Sequence, residues 1–182
     1  MLLVVCESVP MEDPVMYETD EDLGWLRELL GRSYAAAGSH LRGIHTRAAR
    51  VDAAEVVEHL SGMNIFVVAT VSSDGRVFTA PVDGFLFRGR VHFGTSPVAL
   101  RARHLARRPT VSATHVRGEE LVVTVHGRAR LLDLHGADAD FAAVTREHYG
   151  TGWDQWEDPP AAWAIEPDAM FAADMSAHTA TG

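Results

Sequence analysis

The feature of this sequence that most restricts its fold is a series of short apolar runs divided by turn residues. The runs cover residues 65–71, 76–87 and 90–95, and they are rich in Val, Ile, Phe and Thr. Asp74-Gly75 separates the first two, and Asp-Gly between apolar runs is a strong signal for a β-hairpin. This spacing predicts antiparallel strands joined by short turns, because a parallel sheet would need longer crossover connections.

The rest of the pattern adds helices and further strands to this sheet. Ser96 and Pro97 are residue types that cap and begin a helix, which should run over residues 98–107 and stop before Pro109. The other predicted elements are strands at 110–116, 120–132 and 162–165 and a helix at 139–148 with Asp138 as its cap. Together these elements predict a mainly β chain with helices, folded as a small antiparallel barrel of about six strands with an inserted helix.

The first 60 residues have a different character and are predicted to form an N-terminal arm. Apolar residues recur at helical spacing from Asp20 to about Ala37, and Asp52 can cap a second helix over residues 53–60. The predicted organisation is therefore an arm with two helices at 1–60, a barrel domain at 61–175 and a disordered tail at 176–182.

Charge is distributed unevenly along the 182 residues, whose formal net charge is -9. Residues 1–30 carry a net charge of -7 and residues 151–182 a net charge of -6, which leaves +4 for residues 31–150. A modest positive middle without a stacked-aromatic motif argues against nucleic acid but is compatible with a small anionic ligand. All sixteen basic residues are Arg, so Schiff-base chemistry on a lysine and a P-loop are excluded.

The single cysteine, the spacing of the histidines and the short apolar runs limit the kinds of site that this chain can form. One cysteine, Cys6, excludes an internal disulfide framework and a multi-thiolate zinc site. The histidines on predicted strands (His92, His115 and His126) lack metal-ligand spacing, and we expect no metal. No apolar run is long enough to cross a membrane, so a cytoplasmic protein without membrane partners is expected.

The segment from Thr95 to Pro109 carries the clearest chemical signal. Four arginines fall within eight residues, and Arg101 lies in the first turns of a helix that follows the Thr95-Ser96 pair. Two hydroxyl groups and a guanidinium beside free helix N–H groups would suit a phosphate. The alternative is that these arginines form a solvated basic helix face.

The stretch from residue 64 to about residue 133 resembles the pyridoxamine 5′-phosphate oxidase-like group of split β-barrels, which includes flavin- and deazaflavin-dependent oxidoreductases. The pieces that carry the resemblance are Val68-Ala-Thr-Val71, Asp74-Gly75, Ala80-Pro-Val-Asp83, Val91-His-Phe-Gly-Thr95, Leu100-Arg-Ala-Arg-His-Leu-Ala-Arg-Arg-Pro109 and Val125-His-Gly-Arg-Ala129. The resemblance implies a split β-barrel of the FMN-binding type and a homodimer with the cofactor at the subunit interface.

The resemblance also implies a set of cofactor-binding residues and an activity. Thr95, Ser96 and Arg101 would hold the cofactor phosphate, and Arg103 would reach the same phosphate or the tail of deazaflavin F420. The residues that would line the flavin ring are Thr79, Ala80, Pro81 and Val82. The implied function is that of an oxidoreductase on a small organic substrate, with FMN as the first cofactor expected, F420 as the second and haem as a minor alternative.

Three positions depart from the pattern of this group. Asp83 follows Pro-Val where a bulky aromatic residue is usual, Arg101 stands where Lys is frequent, and Arg108 replaces a common Asp before Pro109. Two alternative functions remain open: a non-catalytic module that binds flavin or haem, and a barrel without a cofactor that serves as an interaction domain. Trp153, Trp156 and Trp163 are interpreted as packing residues, with a substrate pocket as the alternative.

Overall fold

The computed structural model describes residues 16–46, 49–118, 120–150, 161–174 and 176. Within them, six antiparallel strands form a closed barrel in the order β1-β2-β3-β6-β5-β4. The strands are β1 (Met63–Val71), β2 (Val77–Phe87), β3 (Arg90–Thr95), β4 (Thr110–Arg117), β5 (Leu121–Leu131) and β6 (Ala161–Asp174). The helices are α1 (Asp20–Ala36), α2 (Ser39–Ile44), α3 (Ala53–His59), α4 (Leu100–Arg107) and α5 (Ala139–Tyr149). The predicted mainly β split barrel with an inserted helix is confirmed.

The two predicted hairpins close through glycines whose backbone is left-handed. Gly75 has φ 83° between β1 and β2, and Gly89 has φ 71° between β2 and β3. This conformation is unfavourable for residues with a Cβ, which is why the turn positions could be read from the sequence. The hairpins set the register that opposes Ile65 to Asp83 and Val67 to Pro81.

Strand β6 is much longer than predicted. We expected it to end before Pro167, yet it continues to Asp174 and pairs with β5 along its length. The ladder shifts register between His126 and Gly127, and Pro167 lies at this bulge, where a residue without an N–H is tolerated. A Cβ at Gly127 would collide with the carbonyl oxygen of Glu166, so the bulge also requires glycine at that position.

The described part of the N-terminal arm holds three helices rather than the two predicted. The additional helix is α2, which lies in a segment that we interpreted as a basic connector. The other two agree with the sequence pattern: Asp52 accepts hydrogen bonds from the N–H groups of Ala54 and Glu55, and Thr19 caps α1. None of the helices in the described ranges is long and apolar enough to cross a membrane.

Helix α1 attaches the arm to the barrel by bonding directly to β6. The Tyr34 hydroxyl donates to the carbonyl oxygen of Ala172 at 2.7 Å and accepts from the N–H of the same residue at 3.1 Å. The Ser33 hydroxyl accepts from the N–H of Met170 at 3.0 Å. Leu26 and Leu29 are fully buried in the same apolar core as the barrel interior. The arm and the barrel therefore share one core.

Helices α4 and α5 do not begin as the sequence suggested. The residue before α4 is Ala99, not Ser96, and no side chain caps the helix. Ser96 instead begins the turn that precedes α4, where its carbonyl oxygen accepts from the N–H of Ala99 at 3.0 Å. Asp138 precedes α5 as expected, but its carboxylate binds Arg130 and does not cap the helix.

Several sequence-based interpretations lie outside the described residues. They concern Cys6 and the start of the arm, Trp153 and Trp156, and the tail from residue 177 onward. Trp163 is described, and it is 5% exposed within the main core cluster.

Candidate functional site

A cavity of about 420 Å³ lies between the outer face of the barrel and helices α4 and α5. This volume is in the range typical of small-molecule sites. Strand β2, the end of β3, the turn before α4, and the inner face of α5 supply its walls. The lining residues are Pro81, Val82, Asp83, Phe85, Gly94, Thr95, Ser96, Ala99, Arg101, Phe141, Thr145, Tyr149 and Ala162.

Arg101 gives this cavity a partly buried positive charge. Its Nε donates to the Thr95 hydroxyl at 3.3 Å. Its Nη1 is buried and has no hydrogen-bond partner among the described residues. Burial lowers the pKa of the Arg101 guanidinium, but arginine keeps its proton in proteins. A buried charged N–H without a partner is costly, and an anionic ligand in the cavity would remove that cost.

The packing of α4 fixes where Arg101 lies. Ala102, His104 and Leu105 face the barrel and are buried, which places Arg101 at the first turn beside the end of β3. The buried His104 Nδ1 is 3.1 Å from the Thr70 hydroxyl of β1. His104 therefore lies on the helix face that packs against the barrel.

The structure brings together five of the eight residues predicted to bind the cofactor. Pro81, Val82, Thr95, Ser96 and Arg101 all line the 420 Å³ cavity. Alternation along β2 exposes Pro81 and buries Val82, so the two contribute from opposite faces of the strand.

The other three predicted residues line neighbouring cavities. Thr79 and Ala80 line a cavity of about 210 Å³ that Arg101 also borders. Arg103 points into a third cavity of about 400 Å³, together with Arg107 and Arg108. Arg103 does not share a cavity with Arg101, because side chains two positions apart on a helix point to nearly opposite sides.

Asp83 and Tyr149 form a polar pair in the main cavity that the sequence did not predict. The Tyr149 hydroxyl donates to Asp83 Oδ2 at 3.0 Å. Burial and the neighbouring carboxylate raise the pKa of Tyr149, so the hydroxyl stays protonated and remains the donor. Asp83 stood out only as a departure from the usual pattern, and no local signal could connect it to a tyrosine 66 positions away.

Aromatic rings surround this pair. Phe85 contacts Phe141 edge to face with ring centroids 6.0 Å apart, and it contacts Tyr149 in the same way at 6.3 Å. Phe85 and Phe141 belong to the apolar cluster that holds α5 against the barrel. The cavity thus combines a guanidinium, a carboxylate, an aromatic wall and four hydroxyl groups, those of Thr95, Ser96, Thr145 and Tyr149.

His92, on β3, packs directly against the aromatic wall. Its ring lies 4.5 Å from that of Phe141, and its Nδ1 is 3.0 Å from the carbonyl oxygen of Arg90. Desolvation by burial lowers the pKa of His92 to about 4, so the ring is neutral at pH 7. Among the described residues, no group of three or more His, Cys, Asp or Glu side chains is arranged to hold a metal ion.

Comparisons with known proteins give one family match, and several solved structures share the fold. The sequence model of the family described as pyridoxamine 5′-phosphate oxidase matches residues 53–172. No match is found among curated proteins.

Three solved structures have the same fold at low sequence identity. A conserved hypothetical protein from Mycobacterium tuberculosis is 17% identical with a TM-score of 0.62, covering 74% of this chain and 92% of that one. A FAD-binding protein from Mesorhizobium loti is 20% identical with a TM-score of 0.54, covering 69% and 96%. The haem storage protein HutZ from Vibrio cholerae is also 20% identical with a TM-score of 0.54, covering 60% and 86%.

Proposed function

This chain belongs to the pyridoxamine 5′-phosphate oxidase family, and we propose that it binds FMN and acts as an oxidoreductase on a small organic substrate. The observation that carries the proposal is the buried Arg101 Nη1 without a partner in the described chain. An FMN phosphate would provide the missing acceptor, and the hydroxyls of Thr95 and Ser96 line the same cavity.

The described residues fit the other requirements of a flavin. Pro81 and Val82 supply backbone and apolar surface for the ring, and Phe85 and Phe141 add an aromatic wall. A bound flavin would supply the hydride chemistry, while the protein binds and orients the reactants. The chain's own residues then need only hold the phosphate, exclude water from the ring and position the substrate.

The cavity that contains Arg103 bears on the choice between FMN and F420. Arg103, Arg107 and Arg108 line it, and the 210 Å³ cavity bordered by Arg101 shares Leu100 and His104 with it. The anionic tail of F420 would lie along this path, whereas FMN would leave it unused. FMN is the first choice because the main cavity alone satisfies its phosphate, and F420 is the second.

Haem is less well suited to the main cavity. The described residues that line it include no histidine, cysteine or methionine, which are common axial ligands of haem iron. The Tyr149 hydroxyl, another ligand type, already donates to Asp83. A non-catalytic haem module is therefore the weaker alternative, and a Soret band in the purified protein would favour it.

We also propose that two copies of the chain associate through the outer face of β1 and β2. Ile65 and Val67 are 48% and 47% exposed on this face, and exposed adjacent aliphatic side chains are typical of interfaces. Their β2 partners are Asp83 and Pro81, both of which line the main cavity. A second copy on this face would cover the apolar strands and close the cavity beside the cofactor.

The phosphate assignment is tested by titrating FMN and riboflavin into the wild type and Arg101→Ala. We expect FMN binding to weaken by about 1.5–3 kcal/mol, the range for a hydrogen bond to a charged group, and riboflavin binding to stay unchanged. Arg128→Ala is the matched control, because Arg128 is exposed on β5 and lines none of the three cavities. Equal FMN affinity of wild type and Arg101→Ala would refute the assignment.

A second measurement separates the cofactors and tests the activity. F420 is titrated in parallel, and a tighter complex that Arg103→Ala weakens would replace FMN with F420. Reduction of the bound flavin by a hydride donor, followed by reoxidation by small organic acceptors, tests the oxidoreductase. A flavin that stays oxidised with every donor would instead indicate a non-catalytic binding module.

A further inference from the structure

The third cavity, of about 400 Å³, collects positive charge that FMN in the main cavity would not use. Its walls are the exposed side of α4 and the tip of the β1–β2 hairpin. Four arginines line it together with a single acid, and these charged residues are Arg76, Arg103, Arg107, Arg108 and Asp74. Asp74 pairs with Arg76 at 2.8 Å, whereas no ion pair joins an acid to the three α4 arginines within the described ranges. Three positive charges around one cavity therefore lack a counter-charge from the described chain.

Helix stability alone does not explain this arrangement of arginines. A basic residue in the last turn of a helix interacts favourably with the helix dipole, which accounts for Arg107. Arg103 lies four positions earlier on the same side of α4, and like charges at this spacing destabilise a helix. Arg76 comes from a different element, the hairpin. An anion bound between these guanidiniums would relieve their repulsion.

Arg108 makes the third cavity more basic in this chain than in related sequences. It stands where Asp is common before Pro109, so a positive charge replaces a negative one. Its Nη2 donates to the carbonyl oxygen of Ser73 at 3.3 Å, and this bond holds the guanidinium between α4 and the hairpin. The carbonyl oxygen is neutral, and arginine has five N–H donors, so the charge and the other donors remain available to a ligand.

The hairpin wall is held in place by its own hydrogen bonds. The N–H of Ser72 donates to the carbonyl oxygen of Arg76 at 2.9 Å, and the N–H of Arg76 donates to the Ser72 hydroxyl at 3.1 Å. The N–H of Gly75 donates to the carbonyl oxygen of Ser72 at 3.1 Å and closes the turn. A wall that is already ordered loses little conformational freedom when a ligand binds.

One side of the third cavity is apolar. Phe78 and Leu100 line it, and they are 36% and 45% exposed although both are large apolar residues. The Arg76 guanidinium lies 5.6 Å from the centroid of the Phe78 ring, so the apolar and charged parts adjoin. Nucleic-acid bases stack on aromatic side chains of this kind. The cavity thus combines a charged part for anionic groups with an apolar surface for a flat ring.

We propose that the third cavity is a second anion site, which takes a polyphosphate group. Guanidiniums bind phosphate oxygens in pairs, and adjacent phosphates bring several negative charges within reach of one arginine cluster. A nucleoside di- or triphosphate would also place its base against Phe78 and Leu100, whereas an inorganic polyphosphate would use the arginines alone. The third cavity shares no lining residue with the main cavity, so this site does not depend on the proposed function.

The test is calorimetric titration at physiological ionic strength with orthophosphate, inorganic tripolyphosphate and ATP. We expect tripolyphosphate to bind at least about tenfold more tightly than orthophosphate, because several charge-assisted hydrogen bonds replace one. ATP that binds more tightly than tripolyphosphate, with a gain that Phe78→Leu removes, identifies a nucleotide as the source of the group. Equal affinities for the two identify an inorganic polyphosphate.

Substitutions locate the site. Arg107→Gln and Arg108→Gln should each weaken tripolyphosphate binding about tenfold, the effect expected for loss of a hydrogen bond between charged groups. Arg108→Asp, which restores the common acid, should weaken it further. Arg128→Gln is the matched control, because it removes the same charge from an exposed position that lines none of the three cavities. Thermal unfolding without ligand shows whether each variant is folded.

The FMN titration separates this proposal from the proposed function. Protein saturated with FMN should bind tripolyphosphate as tightly as free protein does, and so should Arg101→Ala. A protein that binds tripolyphosphate but not FMN keeps the second anion site and loses the flavin assignment.

Four outcomes would overturn the second anion site. They are no binding of tripolyphosphate by the wild type, competition between tripolyphosphate and FMN, equal losses of affinity in folded Arg107→Gln and Arg128→Gln, and tighter binding of a glutamate oligomer than of tripolyphosphate. The last result would mean that the cavity is suited to the carboxylates of the F420 tail rather than to phosphates.

Discussion

Helices α1 and α4 both pack against the barrel, but they differ in whether the polar groups at the contact have hydrogen-bond partners. At α1, the Tyr34 hydroxyl serves both the N–H and the carbonyl oxygen of Ala172, and the Ser33 hydroxyl accepts from Met170 and donates to Leu29. At α4, Arg101 Nη1 is buried without any partner among the described residues. Both helices bury apolar faces, so the difference lies in the polar groups at the contact.

This difference in hydrogen bonding suggests different roles for the α1 and α4 contacts. A contact with every polar atom paired gains stability from the pairing, since each lost partner would leave a desolvated group. A contact that leaves a charged group unpaired gives up stability in the free protein and recovers it when a ligand binds. The α1 contact is therefore interpreted as structural, and the α4 contact as part of the binding site.

The largest expected effect on stability concerns two buried histidines, His45 beside α1 and His92 beside the main cavity. His92, beside the cavity, has its pKa lowered to about 4, and His45, beside Tyr34, has its pKa lowered by burial and by Arg50. A histidine with a depressed pKa binds fewer protons when folded, so stability is complete above its unfolded pKa near 6.5 and falls as the pH drops toward 4. Because the unfolded protein takes up a proton at His92 in this range, we expect the free energy of unfolding to fall by up to about 3 kcal/mol between pH 6.5 and pH 4.

The measurement is denaturant unfolding at several pH values and one protein concentration. Between pH 6.5 and 4, the free energy of unfolding should depend less on pH in His92→Gln than in His45→Gln. Arg130, Asp138 and Glu166 also act on His92, the first lowering its pKa and the two acids raising it, but burial is the dominant cause. A wild-type stability that stays constant across this range would contradict the prediction.

Removal of the Tyr34 hydroxyl should have the next largest effect. Tyr34→Phe leaves both backbone groups of Ala172 without their side-chain partner but keeps the ring, which packs against Phe171 and under Arg50. We expect a loss of about 2 kcal/mol in the free energy of unfolding, with no change in FMN affinity. A variant as stable as the wild type would show that the α1 contact does not depend on its polar pairing.

The smallest change in stability is expected at Arg101. Arg101→Met removes the buried, unpaired Nη1 together with the long 3.3 Å hydrogen bond from Nε to the Thr95 hydroxyl, and it retains apolar volume. We therefore expect the free energy of unfolding without ligand to change by less than about 1 kcal/mol. At one FMN concentration, FMN should stabilise the wild type against unfolding more than it stabilises this variant. A clear loss of stability in Arg101→Met without ligand would mean that the α4 contact is structural as well.

The sequence predicted those parts of the fold that depend on neighbouring residues. Asp74-Gly75 located the first hairpin, Asp52 the start of α3, and Pro109 the end of α4. Five of the eight predicted cofactor residues line one cavity. They lie in two short segments, one in β2 and one from the end of β3 to the first turn of α4, and the local pattern predicts both segments. Arg103 was predicted to reach the same phosphate or the tail of F420, and its direction on α4 takes it to a neighbouring cavity.

Local sequence by itself determined the strands, their turns and the basic segment at α4, because backbone preferences and periodicity act over a few residues. Only the tertiary structure decided that β6 continues past Pro167, since that requires the bulge opposite Gly127. It also decided that Asp83 meets Tyr149 and that Arg101 Nη1 is buried without a partner in the described chain. These features arise from contacts between distant segments, and burial and pairing are properties of the packed molecule that no single segment carries.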